Sequence, residues 1–410
     1  MTLPLEGITV VSLEQAVAGP LATRQLADLG ARVIKVERVD GGDLARGYDS
    51  AVEGTAAHFV WLNRGKESLA LDVKDARCRA ALSTLVDRAD VLVQNLAPGA
   101  AARLGLDADT VRRRRPELIA VDLSGFGRGG PDEQRKAYDM LIQAEAGLIS
   151  ITGTPEHAVK TGIPTADIAS GMYVAQAVLA ALLRRFRTGE GASVEVSMLE
   201  ATVEWLGHAL YTQMHTGNPP ARMGLSHTSI APYGAYPTKD DSVLIGVQSD
   251  GGWRALTRVL AAPDLDVDPR FASNVQRVRH RAELDAALAA RTRSWTTVDL
   301  VAALGTAGVP AAQVKGMADV IEHRQLAARG RWREVGTEHA RVRALLPPAT
   351  FDDVEAPMLP VPALGEHTEA LLAEPDLTPD EIAELIDAGL AVAGARARQD
   401  PSEPERARAT

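Results

Sequence analysis

The stretch Ile8-Thr9-Val10-Val11-Ser12-Leu13-Glu14-Gln15-Ala16-Val17-Ala18-Gly19-Pro20-Leu21-Ala22-Thr23-Arg24-Gln25-Leu26-Ala27-Asp28-Leu29-Gly30-Ala31-Arg32-Val33-Ile34-Lys35-Val36-Glu37 decides the fold. Ile8 to Leu13 is a short β-branched run, Leu21 to Leu29 has the spacing of an amphipathic helix ended by Gly30, and Arg32 to Glu37 is a second strand. Strand, helix and strand in so short a span form a βαβ unit, whose parallel strands carry ligands at their carboxyl ends. The turn Glu14-Gln15-Ala16-Val17-Ala18-Gly19-Pro20 does not follow G-x-G-x-x-G, so a dinucleotide site is poorly supported. The chain also has no G-x-x-x-x-G-K-[ST] segment, which excludes a nucleotide-hydrolysing P-loop of that kind.

The pattern repeats along the chain. Ser68 to Val73, Val91 to Gln94 and Ile119 to Ser124 read as strands, with helices at Ala76 to Arg88 and Asp107 to Arg115 between them. Apolar helices follow at Ala137 to Gly147 and Gly171 to Arg187, then a strand at Ser193 to Ser197 and a helix at Met198 to Met214. This predicts an α/β fold, with a Rossmann-like doubly wound large domain over residues 1–220. Beyond Gly217-Asn218-Pro219-Pro220 the texture changes, and residues 225–325 read as a smaller inserted α+β domain. Its elements are Tyr233-Gly234-Ala235-Tyr236-Pro237, a strand at Val243 to Val247, and helices at Trp253 to Leu260, Ala282 to Arg293 and Thr297 to Leu304. Residues 330–395 return to the large domain and include a last helix, Pro379 to Leu390; the polar tail 396–410 is expected to be disordered.

With 46% hydrophobic and 24% charged residues the composition is that of a globular protein, and 4% aromatics leave Ala, Val and Leu to fill its core. A net charge of −10 argues against nucleic acid and anionic membranes as partners. The N-terminus has no signal-peptide pattern, and no run approaches the roughly 18 uninterrupted apolar residues of a membrane span. The single cysteine, Cys78, excludes an intrachain disulfide and has no base near it in sequence, so it is not expected to be a nucleophile. A soluble, cytoplasmic protein is the expectation.

The stretch Lys160-Thr161-Gly162-Ile163-Pro164-Thr165-Ala166-Asp167-Ile168-Ala169-Ser170-Gly171-Met172 puts one carboxylate after a Gly- and Pro-punctuated turn, where a long apolar helix begins. Asp167 either satisfies that helix's own free N–H groups or faces a ligand. No H-x-x-x-H or H-E-x-x-H spacing occurs, so no metal site is expected, and no G-x-S-x-G elbow supports a serine hydrolase. His227 lies on the loop entering the smaller domain, a placement open to ligand contact. Arg38 and Lys74 end strands, Arg103 follows Asn95-Leu96-Ala97-Pro98-Gly99, and Lys136 precedes Tyr138-Asp139. Cations gathered at βα turns suit phosphate groups.

These segments together are similar to the family III CoA-transferases, which include α-methylacyl-CoA racemases. The resemblance rests on Pro4-Leu5-Glu6-Gly7-Ile8, Ala18-Gly19-Pro20, Leu29 to Glu37, Gly41-Gly42-Asp43, Asn63-Arg64-Gly65-Lys66, Leu71-Asp72-Val73-Lys74, Asn95 to Gly99, Tyr138-Asp139, Thr161 to Met172 and Leu364-Gly365-Glu366-His367-Thr368. They run in order along nearly the whole chain.

The resemblance implies that Asp167 is the nucleophile, forming first a mixed anhydride and then an aspartyl-CoA thioester. With an ordinary carboxyl pKa of about 3.9, Asp167 is expected to be ionised at neutral pH with no helper base. It implies CoA contacts at Val17, Ala18, Arg38, Leu71, Asp72, Val73, Lys74, Asn95, Leu96, Arg103, Lys136, Ala137, Tyr138 and Asp139, and an interlocked homodimer. No tightly bound cofactor is implied, only CoA and acyl-CoA as substrates. Some members close a Gly-rich loop over the site, which Gly224-Leu225-Ser226-His227-Thr228-Ser229 does not match. Some oxalate-handling members carry Gln where this chain has Val17, which argues against oxalate or formate. Tyr138 stands where racemases place a catalytic His, which favours transfer over racemisation. His227-Thr228-Ser229-Ile230-Ala231-Pro232-Tyr233-Gly234 resembles members acting on short dicarboxylates such as succinate, itaconate, mesaconate, malate or citramalate, whose distal carboxylate would meet Arg222 or His227. The alternatives are a racemase-type isomerase and a catalytically silent CoA-binding protein.

Overall fold

The computed structural model describes residues 2–394, so the expected disordered tail lies outside the described residues. The chain divides into two units, one comprising the residues up to Leu148, Thr161–Gly207 and those from Arg329 onward, the other Ile149–Lys160 and His208–Ala328. The smaller unit thus begins before residue 225 and also takes in a short piece ahead of Asp167.

In the large unit, strands and helices alternate as β1 (Thr9–Leu13), α1 (Ala18–Asp28), β2 (Arg32–Glu37), α2 (Ala57–Asn63), β3 (Lys66–Leu71), α3 (Ala76–Arg88) and β4 (Val91–Gln94). They continue as α4 (Ala100–Leu104), α5 (Ala108–Arg114), β5 (Ile119–Ser124), α6 (Asp139–Glu145), the single turn α7 (Leu148–Ile151) that begins the smaller unit's first piece, and then, back in the large unit, α8 (Thr165–Thr188), β6 (Ala192–Ser197) and α9 (Met198–Trp205). The six strands pair in parallel in the order β3-β2-β1-β4-β5-β6, and a last short strand, Ala391–Val392, adds antiparallel to β3. Strand order reverses between β1 and β4, so the loops leaving those two strands part and open a crevice at their carboxyl ends.

Helices cover both faces, which is why these strands are near-continuous apolar runs. One core gathers Leu82, Leu85, Val111, Leu371 and Leu385; the other gathers Leu26, Val33, Val174 and Val178. Among the described residues α8 is the one helix long and apolar enough to cross a membrane, yet Ala166, Ala169, Val174, Val178 and Ala181 form a buried stripe along it. Its length is that of a core helix packed along α1 and the sheet.

In the smaller unit, α10 (Gly207–Thr216) precedes an antiparallel sheet of β7 (Tyr233–Pro237), β8 (Ser242–Gly246) and β9 (Ala311–Gln313). Five helices lie between β8 and β9: α11 (Asp250–Val259), α12 (Pro263–Val267), α13 (Asn274–Arg279), α14 (Arg281–Thr292) and α15 (Thr297–Thr306). Their shared core is Trp253, Leu256, Phe271, Leu284, Leu288, Leu300 and Leu304. The turns α16 (Met317–Ile321) and α17 (Arg324–Ala328) end the unit, and the chain returns through a hairpin of β10 (Trp332–Gly336) and β11 (Arg341–Leu345) to α18 (Thr368–Ala373), α19 (Pro379–Asp387) and β12 (Ala391–Val392).

Three local readings change. The helix carrying Asp167 starts at Thr165, not at Gly171. The run Met198 to Met214 is two helices, broken at Leu206-Gly207, where Leu206 ends the first. The helix α2 and a turn of 3₁₀ helix at Leu44–Gly47 are additional elements, and they bring Asp43 and Asn63 under the first βα loop.

There a buried ion network forms. Lys35 Nζ lies 2.7 Å from Asp43 and 3.4 Å from Glu14, and Lys66 Nζ lies 2.6 Å from Glu14 and donates to Pro20 O and Asn63 Oδ1. All four charged side chains are inaccessible or nearly so. Burial would raise the Glu14 carboxyl, but Lys66 and Lys35 beside it hold it below its usual range. Burial pushes Lys66 down to about 7 despite Glu14. Asp43 also accepts from Ala16 N at 2.9 Å, fixing Ala16 at a φ of 65°, a left-handed conformation costly for alanine. Glu14→Gln would leave two buried ammonium groups short of one anion; a loss of about 3–5 kcal/mol is expected in chemical denaturation, and a loss under about 1 kcal/mol would mean the network is not coupled to folding.

Candidate active site

The loop after β1 is held from two sides. Asn95, just past β4, accepts from Gln15 N and donates to Gln15 O, both at 2.9 Å. Asn95, one of the expected CoA residues, ties the β1 and β4 loops across the switch point through its side-chain amide. Gln94 donates to Asp122 at 2.8 Å and accepts from Leu96 N at 2.8 Å, and Arg128 pairs with the far side of Asp122. A cleft opens beside these loops, lined by Leu13, Gln15, Val36, Arg38, Gly42, Leu71, Val73, Leu96 and Leu104 together with the paired acids Glu14, Glu37 and Asp43. Four expected CoA residues, Arg38, Leu71, Val73 and Leu96, therefore share one apolar-walled cleft with a cation at its edge.

The other expected contacts do not line this cleft. Lys74 lies in the turn after β3, since that strand ends at Leu71, and Asp72 shapes the turn by accepting from Lys74 N at 3.0 Å. Lys74, Arg103 and Lys136 are exposed. Val17 and Ala18 are 5% and 3% exposed, so they can offer a ligand only backbone at the start of α1. No side chain caps that helix, and an open helix N-terminus at the carboxyl edge of a sheet favours anions. Ala137 packs against Gly125, where an added Cβ would come within 2.2 Å of it, and Tyr138 is 68% exposed.

Asp167 sits in the first turn of α8, half-buried, and among the described residues nothing donates to its carboxylate. It does not cap its own helix. That task falls to Asp139, whose Oδ1 accepts from Ala166 N at 2.8 Å and Asp167 N at 3.3 Å. Burial, and after it the negative charge of Asp139, push the Asp167 carboxyl up to about 7. The expectation of an ordinary, fully ionised carboxylate is corrected on that ground. Tyr48 and Tyr138 share this neighbourhood: burial raises the Tyr48 phenol, and Asp43, Asp167 and Tyr138 raise it further.

One turn beyond Asp167, Gly171 sets the approach of α1. A Cβ there would lie 2.6 Å from Ala18 O, so only glycine lets the start of α1 lie against this face of α8. Ile168 packs with Val17, Leu21 and Leu62 beside it. The nucleophile candidate and the open end of α1 are thereby brought side by side.

In the smaller unit, Arg222 donates to Thr154 O, Ser150 O and Pro155 O at 2.9–3.1 Å, so its guanidinium is committed to backbone rather than offered to a substrate. His227 is exposed, stacks on Tyr233 at 5.3 Å and accepts from Ser229 N at its Nδ1, so the neutral ring carries its proton on Nε2. Burial pushes the Cys78 thiol up to about 11, and it lies within the core of the large unit.

Glu14, Lys35, Asp43, Lys66, Gln143 and Gly171 were assigned no role from sequence. A lysine in the middle of Val33-Ile34-Lys35-Val36 was the available signal, since a buried parallel strand tolerates a charge only when it is paired.

Two outcomes follow from this geometry. A carboxyl raised in the folded state contributes stability below its unfolded pKa that is lost as pH rises through about 7. Asp167→Asn should therefore stabilise by about 1–2 kcal/mol at pH 8 and by much less at pH 5; equal effects at both would contradict the raised carboxyl. Gly171→Ala should cost about 1–3 kcal/mol and lower CoA affinity at least tenfold by displacing the start of α1; unchanged affinity in calorimetric titration would contradict the contact.

Residues 5–368 match the model of CoA-transferase family III. The chain is 34% identical over 389 residues to the succinate–glutarate CoA-transferase of Agrobacterium fabrum, covering 90% of this chain and 95% of that protein. It is 36% identical over 328 residues to the acetyl-CoA:oxalate CoA-transferase of Acetobacter aceti, covering 80% of this chain and 84% of that one. The crystal structure of a CaiB/BaiF family protein from Brucella suis superposes with a TM-score of 0.82 at 36% identity, covering 92% of this chain and all of that one. A match spanning both units, with the parallel sheet shared by a solved relative, leaves one conclusion: this chain belongs to CoA-transferase family III and is a CoA-transferase.

Proposed function

We propose that the chain moves CoA from an acyl-CoA donor such as succinyl-CoA to a C4–C5 dicarboxylic acid, with Asp167 as the covalent carrier. The observation that carries this reading is an unpartnered Asp167 carboxylate beside the open N-terminus of α1. An Asp167 oxygen attacks the thioester carbonyl, the C–S bond breaks, and CoA leaves as thiolate from a mixed anhydride. The thiolate attacks the Asp167 carbonyl carbon, releasing the donor acid and leaving an aspartyl-CoA thioester. The acceptor carboxylate attacks that thioester, and the thiolate then takes the acceptor's acyl carbon, freeing Asp167. Splitting the exchange keeps the thioester's free energy at each step. The backbone N–H groups that open α1 are suited to the oxyanions formed on the way.

Leu71 and Leu96 would receive the adenine, with Arg38, Lys74, Arg103 and Lys136 on the phosphates. Glutarate, named for the Agrobacterium relative, joins itaconate, mesaconate, malate and citramalate as a candidate. Val17 argues against oxalate, the acid named for the Acetobacter relative. Met172, Leu179, Leu183 and Phe186 expose an apolar edge of α8, with Phe186 at 90%, which supports an interlocked homodimer as the working assembly.

Intact-mass measurement after succinyl-CoA treatment should give a CoA thioester adduct that hydroxylamine removes and that Asp167→Ala cannot form. Glutarate and itaconate should discharge it, and oxalate should not. An adduct persisting in Asp167→Ala, or CoA binding with no adduct, would contradict the mechanism.

A further inference from the structure

We propose that Asp139 is a positioning residue for Asp167: its carboxylate crosses from α6 to close the N-terminus of α8 and holds a fixed like charge against the nucleophile. This rests on the reading of Asp167 as the covalent carrier. Helix α8 is 24 residues long, yet its N-cap position is Pro164, which has no side-chain oxygen to accept from its first amides. Asp139 Oδ1 takes both Ala166 N and Asp167 N, and its Oδ2 accepts from Gln143 Nε2 at 2.7 Å. Gln143 lies one turn along α6, has no exposed surface, and accepts Thr161 N and Oγ1 at 3.1 and 3.0 Å. Both Asp139 oxygens are thus engaged, and the carboxylate cannot swing away from Asp167.

The titratable groups that interact with Asp167 in the large unit are Asp139 from α6 and Tyr48 from the turn after Leu44–Gly47. The Tyr48 phenol is raised above its ordinary value, and among the described residues no cation pairs with Asp167. The repulsion from Asp139 exists only while Asp167 is an anion. It is relieved when Asp167 becomes an anhydride or thioester, so the pair favours covalent loading over the resting carboxylate. An N-terminal cap drawn from the helix itself would supply the same hydrogen bonds without this coupling. The raised Asp167 carboxyl agrees with the arrangement.

The test is Asp139→Asn, which keeps an oxygen to cap α8 and removes the charge. Infrared difference spectra between each protein and its Asp167→Asn counterpart report the Asp167 carboxyl directly and need no substrate. Its titration midpoint should fall by at least about one pH unit in Asp139→Asn. The pH at which succinyl-CoA loading reaches half its maximum should fall by the same interval. Asp139→Ser, which is also neutral, should lower the midpoint alike and serves if the Asn variant does not fold. An unmoved midpoint in a folded neutral variant would overturn the proposal and leave Asp139 a cap only. Wild-type protein that titrates as stated but never loads would instead overturn the reading of Asp167 as carrier.

Discussion

Everything at the carboxyl edge of the sheet depends on Glu14 being held between two buried lysines. Lys35 and Lys66 come from the neighbouring strands β2 and β3, so their ammonium groups reach Glu14 only when β1, β2 and β3 lie in register. Asp43 completes the cluster and, through Ala16 N, sets the conformation of the loop that opens α1. A buried ion pair is a weak source of net stability. Here its effect is geometric: it specifies where the helix end lies, as an apolar core would not. Asn95 does the same from the other side of the switch point, by bonding both backbone groups of Gln15.

The long helix α8 is the second half of the site. Gly171 lets α1 lie against it, and Asp139 closes its end, so Asp167 is left as the one carboxylate there without a donor. Satisfied neighbours around an unsatisfied acid are an arrangement costly to the fold and useful to chemistry.

The alternation of strand and helix was legible because parallel strands are buried on both faces and read as apolar runs between turn signals. The resemblance then located Asp167 within its turn. The state of Asp167 was not legible, because it is set by burial in the folded chain and then by Asp139, which lies 28 residues earlier and caps a helix it does not belong to. Glu14, Lys35 and Lys66 escaped for the same reason: each looks like an isolated charge until three strands align. Arg222 read as a free cation because nothing local announces the three carbonyls that occupy it. The helix Met198 to Met214 was drawn too long because the periodicity continues across the break at Leu206-Gly207.

The central claim is that the acceptor acid is joined to Asp167 through oxygen during each turnover. Glutarate carrying ¹⁸O in its carboxylates, turned over with succinyl-CoA as donor, tests it most directly. The account predicts one ¹⁸O in the Asp167 carboxyl, recovered in the peptide that contains it, and later in released succinate. Formation of glutaryl-CoA with no label in that peptide would contradict a covalent Asp167 intermediate.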